Sequence, residues 1–219
     1  MSGTPGFRTV IFDCDSTLSA IEGIEELAVA HREEIARLTD LAMQGAVPLE
    51  EVYGRRLDLI RPSRQEVERI GALYVERLVP GALETVRALQ ARGAVVQVLS
   101  GGVLPAVQVV AAALGIPSDR VAAVDLHFDQ DGAYRGYDRD SPLARSGGKR
   151  QWMEQQGRNL PRPSLLVGDG ATDLEARPAV DCFAAFTGVV HREPVVRGAD
   201  VTLPGPSLTD VLAIRPRGA

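Results

Sequence analysis

The spacing of apolar residues changes twice along the chain and divides it into three stretches. Residues 9–12 form an unbroken apolar or β-favouring run, which predicts a buried strand. From about residue 19 to residue 77 the apolar residues recur every three or four positions, which predicts helices and no strand. From residue 80 onward short apolar runs alternate with helical stretches, which is typical of βαβ units around a parallel sheet.

Turn and capping residues set the limits of the predicted elements. The helices of the middle stretch span about residues 19–28, 33–44, 49–60 and 64–77. Ser63 and Glu66 form a capping box at the start of the last of these helices. The later strands are predicted at residues 95–99, 121–128, 133–137, 164–167, 182–186 and 201–203, and the later helices at 80–92, 104–114, 149–156, 172–177 and 207–214. Asp129 to Gly132 is typical of a hairpin turn.

This order of elements predicts an α/β fold with a doubly wound, Rossmann-like parallel sheet. The first strand is expected to join that sheet. Residues 1–17 and 78–219 would then form the α/β core, and residues 18–77 would form a helical cap inserted after the first strand. Such a cap would stand over the carboxyl edge of the sheet as a lid.

The composition is that of a soluble globular protein and narrows the classes of partner. The 219 residues are 45% hydrophobic and 24% charged, and the net charge of −5 argues against nucleic-acid binding. No apolar run approaches the roughly 18 residues that a membrane span needs. Residues 1–6 show no signal peptide, and Cys14 and Cys182 make no disulfide framework, so a cytoplasmic location is expected.

Polar clusters follow three of the predicted strands, and a fourth opens a helix. They are Asp13-Cys14-Asp15, Ser100-Gly101-Gly102, Gly168-Asp169-Gly170-Ala171-Thr172-Asp173 and Ser146-Gly147-Gly148-Lys149. Taken alone, the first pair of aspartates also fits an ordinary Asx-type turn. Together, however, the clusters supply carboxylates for Mg²⁺, a nucleophilic aspartate, glycines for close approach to a phosphate, and hydroxyl and ammonium donors. This set is what phosphoryl transfer requires.

The four clusters, in this order, resemble the motifs of the haloacid dehalogenase-type phosphohydrolases. The likeness is strongest in Asp13 to Thr17 with Glu22 following, and in Gly168 to Ala176. Residues 43–60 and 146–149 extend it to the members that hydrolyse O-phospho-L-serine. The resemblance implies a Mg²⁺-dependent enzyme that releases L-serine and phosphate through an aspartyl-phosphate intermediate, as the last step of serine biosynthesis.

The resemblance also implies a role for each catalytic and metal-binding residue. Asp13 is expected to be the nucleophile, and Asp15 the general acid and then the general base. Mg²⁺ would be bound by Asp13, the main-chain carbonyl of Asp15, and Asp169. Asp173 would orient the waters of the ion or Lys149.

Substrate contacts follow from the same resemblance. Ser100, Gly101 and Lys149 would hold the phosphate, with Ser100 and Lys149 also counted as catalytic. Glu22 would bind the substrate ammonium and Arg56 its carboxylate, a pairing that suits their charges. Further contacts are expected from Met43, Leu49 and Thr172.

Several alternatives remain open at the level of sequence. Glu22 also fits an acidic residue at the start of a helix, and Lys149 also fits a solvated lysine at the start of a helix. Arg55, next to Arg56, is the alternative contact for the substrate carboxylate. Met43 and Leu49 also fit plain core positions.

The enzyme could instead act on another small phosphate such as phosphothreonine, or transfer the phosphoryl group to homoserine. A non-catalytic binding protein on the same fold is the third reading. A small-molecule substrate is the expected partner, with no nucleic acid and no membrane, in a monomer or homodimer.

Overall fold

Strands and helices alternate along most of the chain, as the apolar pattern predicts. The computed structural model describes residues 6–43 and 49–216, except for the side chains at positions 30, 36, 39–43 and 49. The strands are β1 (Thr9–Phe12), β2 (Val95–Val103), β3 (Val121–Val124), β4 (Leu126–Phe128), β5 (Tyr134–Tyr137), β6 (Ser164–Gly168), β7 (Cys182–Phe186) and β8 (Val201–Leu203). The helices are α1 (Gly23–Leu27), α2 (Arg32–Met43), α3 (Leu49–Ile60), α4 (Arg64–Glu76), α5 (Ala82–Ala91), α6 (Leu104–Ala113), α7 (Gly148–Gln155), α8 (Ala171–Ala176) and α9 (Glu193–Gly198).

Six strands form one parallel sheet in the order β3-β2-β1-β6-β7-β8. β1 lies between β2 and β6, with Phe12 opposite Val98 on one side and Val167 on the other. Every residue of β1, β6 and β7 is buried, as expected for strands covered by helices on both faces. The predicted α/β fold is therefore confirmed, and the carboxyl ends of β1, β2 and β6 meet at one edge.

The predicted strand over residues 121–128 is wrong, because the structure divides it between two sheets. β3 pairs with β2 in the main sheet, whereas β4 pairs with β5 in a separate antiparallel hairpin. Asp125 separates the two strands, and its carboxylate accepts a hydrogen bond from the amide of Leu126 at 2.9 Å. A polar residue that bonds the next amide favours a bend over continued pairing.

Other elements also differ from the prediction, and α1 begins at Gly23 where a helix from about residue 19 is predicted. β2 continues through its glycines to Val103, and the predicted helix over residues 207–214 is a 3₁₀ helix, Leu208–Ala213. α9 was not predicted, although Pro194 in its first turn is a typical helix-start signal. Among the described residues, no helix is both long and apolar enough to cross a membrane.

The inserted helices α1 to α4 pack on one another and on the core. The capping box of Ser63 and Glu66 is present, as predicted, at the start of α4. α4 packs against α6, and the β4–β5 hairpin touches the inserted helices through a hydrogen bond from the Arg64 amide to the Gly132 carbonyl at 2.8 Å. The division into core and lid, and any opening of that lid, remain predictions.

Candidate active site

A cavity of about 260 Å³ lies where the carboxyl ends of the central strands meet the inserted helices. Asp13 and Asp15 follow β1, Gly101 and Gly102 lie near the end of β2, and Asp169 and Gly170 follow β6. Lys149 enters from the first turn of α7, and Thr172 from α8. The opposite wall comes from the inserted helices, and it contains Glu22, Ile24, Glu25, Tyr53 and Arg56.

Lys149 joins two aspartates at the floor of the site. Its Nζ lies 2.8 Å from Oδ2 of Asp13 and 2.7 Å from Oδ1 of Asp173, and all three side chains are buried. Burial alone would lower the pKa of Lys149, but the two carboxylates outweigh it and hold the pKa above its usual range. Lys149 is therefore a fixed buried cation and not a solvated lysine at a helix start.

Asp173 is held by α8 and by the loop before it. Its Oδ2 accepts a hydrogen bond from the Gly170 amide at 3.0 Å. Burial raises the pKa of Asp173 to about 7, although the charge of Lys149 opposes the shift. Gly168 is required beside it, because a Cβ at that position would lie 2.2 Å from Cγ of Asp173.

The two carboxylate oxygens of Asp15 have different hydrogen-bond partners. Oδ1 accepts hydrogen bonds from the Gly23 amide at 2.7 Å and from the Tyr74 hydroxyl at 2.5 Å. Oδ2 lies 3.4 Å from the Ser100 hydroxyl and faces Gly102, where a Cβ would approach it to 2.8 Å. Burial, followed by the charges of Glu22 and Asp13, raises the pKa of Asp15 to about 7. Asp15 can therefore hold a proton near neutral pH, and Oδ2 is the oxygen left to carry it.

Asp169 is buried between a hydroxyl and a guanidinium. The hydroxyl of Thr17 donates to its Oδ1 at 3.2 Å. Arg192 donates to its Oδ2, and another nitrogen of the same guanidinium lies 3.9 Å from Oε1 of Glu22. Arg192 thus links a residue after β6 to one that precedes α1.

The carboxylates at this edge suit a hard cation. Asp13, Asp169 and Asp173 each present one oxygen, and these oxygens lie within 4.8 Å of one another. Oxygen ligands from aspartates are those that Mg²⁺ prefers. Asp13 and Asp169 therefore fit the predicted set, and the structure brings Asp173 into the same cluster.

The glycine-containing end of β2 provides backbone close to the acids. Gly101 and Gly102 line the cavity, whereas Ser100 is fully buried. The Ser100 hydroxyl accepts a hydrogen bond from the Gly102 amide at 3.0 Å and can donate to Asp15. Among the predicted phosphate contacts, Gly101 and Lys149 therefore reach the cavity directly.

Glu22 and Arg56 lie on the wall that the inserted helices provide. Glu22 precedes α1 but makes no capping hydrogen bond; its Oε1 accepts from the Ser16 hydroxyl at 2.6 Å instead. Arg56 is 9% exposed and lines the cavity, with its guanidinium 5.7 Å from the centre of the Tyr53 ring. Arg55 points to solvent, where it pairs with Glu51. The structure therefore favours Arg56 over Arg55.

Two predicted contacts lie outside the part of the chain that the structure describes, and some residues of the site were not predicted from the sequence. The side chains of Met43 and Leu49 fall outside the described part of the chain. Arg192 and Tyr74 were not predicted, because neither ends a strand nor lies near its partner in sequence. Tyr53 occupies an apolar position of α3, where helical spacing indicates only burial.

Comparison with known proteins identifies the family to which the chain belongs. The family model of haloacid dehalogenase-like hydrolases matches residues 10–176. The chain therefore belongs to the haloacid dehalogenase-like hydrolases. Within that family it groups with the phosphoserine phosphatases: it is 41% identical to "Phosphoserine phosphatase" of Bos taurus over 194 residues, which cover 87% of this chain and 86% of the relative.

Solved structures show the same relationship. A phospho-aspartyl intermediate analogue of phosphoserine phosphatase matches with a TM-score of 0.78 and 26% identity, over 95% of this chain and 99% of that one. A substrate-bound phosphoserine phosphatase complex matches with a TM-score of 0.80 and 25% identity, over 96% and 99%. The resemblance predicted from the four motifs is thus confirmed over nearly the whole chain.

Proposed function

We propose that this chain is a phosphatase that hydrolyses O-phospho-L-serine to L-serine and phosphate through an aspartyl-phosphate. The observation that carries the proposal is the meeting of two sets of side chains in one cavity. Asp13, Asp15 and Lys149 lie on the sheet side, while Glu22 and Arg56 lie on the helical side. The first set suits a phosphate ester, and the second suits the ammonium and carboxylate of an amino acid.

In the first half-reaction a carboxylate oxygen of Asp13 attacks phosphorus, and the bond from phosphorus to the seryl oxygen breaks. Asp15 donates its proton to the departing oxygen, so that L-serine leaves neutral at that position. The Cys14 amide donates to Oδ1 of Asp13 at 2.7 Å, and Lys149 holds Oδ2. These donors fix the orientation of the nucleophile before substrate arrives.

In the second half-reaction water attacks the phosphorus of the aspartyl-phosphate. Asp15, now ionised, accepts the proton of that water, and the bond from phosphorus to Asp13 breaks to release phosphate. A pKa of about 7 allows Asp15 to act as acid and then as base without a large penalty in either state. One related protein was solved as a phospho-aspartyl intermediate analogue, which supports this route.

We further propose Mg²⁺ as the cofactor, held by Asp13, the main-chain carbonyl of Asp15, and Asp169. When bound, the ion would neutralise negative charge on the phosphate and on the attacking carboxylate. Asp173 would lie outside this set of ligands and would position Lys149. A place in serine biosynthesis and a cytoplasmic location remain predictions from the resemblance.

Removal of divalent ions is expected to lower phosphate release by at least about 100-fold, with recovery on adding Mg²⁺. Binding should also raise the melting temperature, because an ion at 100 times its Kd stabilises the folded state by about 2.7 kcal/mol. Calorimetry and a phosphate-release assay in chelator and in Mg²⁺ measure both effects. Full activity in chelator would contradict the proposed metal site.

Arg56→Ala is expected to lower kcat/KM for O-phospho-L-serine by about 10- to 100-fold, the cost of losing charge-assisted hydrogen bonds to the carboxylate. Turnover of p-nitrophenyl phosphate, which has no carboxylate, should change by less than about threefold. Arg55→Ala is the matched control, since Arg55 is exposed and pairs with Glu51. Equal losses on both substrates would show that Arg56 acts on the fold and not on specificity.

A further inference from the structure

A second cavity opens at the amino-terminal edge of the sheet, opposite the active site. Its lining includes Phe7 and Arg8 before β1, Ala94 before β2, and Leu165 near the start of β6. Its volume of about 450 Å³ exceeds the 260 Å³ of the active-site cavity. Ligand-binding cavities typically have volumes of about 300–1,000 Å³, so this one is large enough for a small molecule.

The floor of this cavity is apolar. Val10 and Leu165 come from the two central strands and are fully buried, and Leu89 of α5 and Val211 are nearly so. Ala94, Leu212 and Ile214 also line the cavity and are partly exposed, so they offer hydrocarbon contact above these buried side chains. Transfer of a hydrocarbon tail from water onto such a surface is favourable.

The rim, by contrast, carries only positive charge. Arg8, Arg92 and Arg215 line the cavity, and among its described lining residues there is no aspartate or glutamate. None of the three arginines has an ion pair within residues 6–43 and 49–216. This is unexpected in a chain whose net charge is −5.

Two of these guanidinium groups converge on one oxygen. Nη1 of Arg92 donates to the Leu212 carbonyl at 3.2 Å, and Nη1 of Arg215 donates to the same carbonyl at 2.8 Å. Two cations held side by side repel each other, and an anion placed between them relieves that repulsion. The remaining donors of each planar guanidinium suit a carboxylate, phosphate or sulfonate group.

We propose that this second cavity binds a small organic anion with an apolar tail. The anionic head would lie against Arg92 and Arg215, with Arg8 adding charge at the rim, and the tail would contact the apolar floor. The site is separate from the catalytic one and does not depend on the proposed function.

Octane-1-sulfonate is the probe, because it combines both features and contains no hydrolysable phosphate. Isothermal titration of the full chain should give saturable binding at one site. Sulfate, which lacks the tail, and octanol, which lacks the charge, should each bind at least about tenfold more weakly.

Arg92→Gln and Arg215→Gln should each weaken octane-1-sulfonate binding by about tenfold, the cost of one charge-assisted contact. Arg158→Gln is the matched control, since Arg158 is exposed and does not line this cavity; it should leave the affinity unchanged. Melting curves would check that the variants fold. The absence of saturable binding, or equal binding by all three variants, would overturn the proposal.

Discussion

Replacing Asp13 with asparagine is expected to lower kcat for phosphate release from O-phospho-L-serine by at least about 10³-fold. An asparagine side chain has nearly the same shape and its oxygen can still accept the hydrogen bond from the Cys14 amide. It lacks the negative charge needed to attack phosphorus, and it cannot form the aspartyl-phosphate. A loss of this size corresponds to about 4 kcal/mol of transition-state stabilisation.

Two measurements separate loss of the nucleophile from loss of structure. Acid quenching of the wild-type enzyme during turnover, followed by mass spectrometry of peptides, should show one phosphoryl group on Asp13 and none in the variant. Asp131→Asn is the matched control, because Asp131 is an exposed residue of the hairpin turn; it should retain full activity. Asp13→Ala guards against deamidation of the new asparagine. Retention of more than about a tenth of the activity by both Asp13 variants would contradict the assigned role.

The sequence predicted the residues at the strand ends because a parallel sheet leaves little freedom in where they lie. Asp13 and Asp169 each follow a strand and Ser100 lies near the end of β2, and neighbouring parallel strands bring those ends to one edge. Lys149 was predicted from the glycines before it. Its side chain contacts Asp13, which lies more than a hundred residues away in the sequence. The motif resemblance predicted that the two residues share one site, whereas spacing alone did not.

Arg192 and Tyr74 show where sequence reasoning reaches its limit. Arg192 meets Asp169 across 23 residues, and Tyr74 meets Asp15 across 59. Both contacts depend on how segments distant in sequence pack together, and no local spacing encodes that packing. Tyr74 is also fully buried, so its pattern is that of an ordinary core residue.

The choice between Arg55 and Arg56 was within reach of the sequence. Tyr53 and Leu57 mark the buried face of α3, and Arg56 lies three residues after Tyr53 on that face. Arg55 instead lies four residues after Glu51, an exposed acidic residue with which it pairs. Helical spacing therefore favours Arg56 on physical grounds.

Lys149→Met is expected to lower the free energy of unfolding of the metal-free protein by about 3–5 kcal/mol, the usual cost of breaking a buried ion pair. Methionine keeps the length of the side chain but removes the charge that lies between Asp13 and Asp173. Those carboxylates would then face each other without a cation, with Asp169 close by. Urea denaturation in chelator measures the loss, and added Mg²⁺ should recover part of it. Phosphate release should also fall.

A matched control and a double-mutant cycle make the explanation specific. Arg150→Met changes the next residue, whose exposed ion pair with Glu154 contributes only about 0.5 kcal/mol. Asp173→Asn removes one of the two acids that Lys149 neutralises, so the double variant should lose less stability than the two single losses added together. Strict additivity, or a Lys149→Met loss below about 1 kcal/mol, would mean that the buried acids are compensated elsewhere. A strong coupling instead means that the charge of Lys149 stabilises the fold by the same contacts that orient the nucleophile.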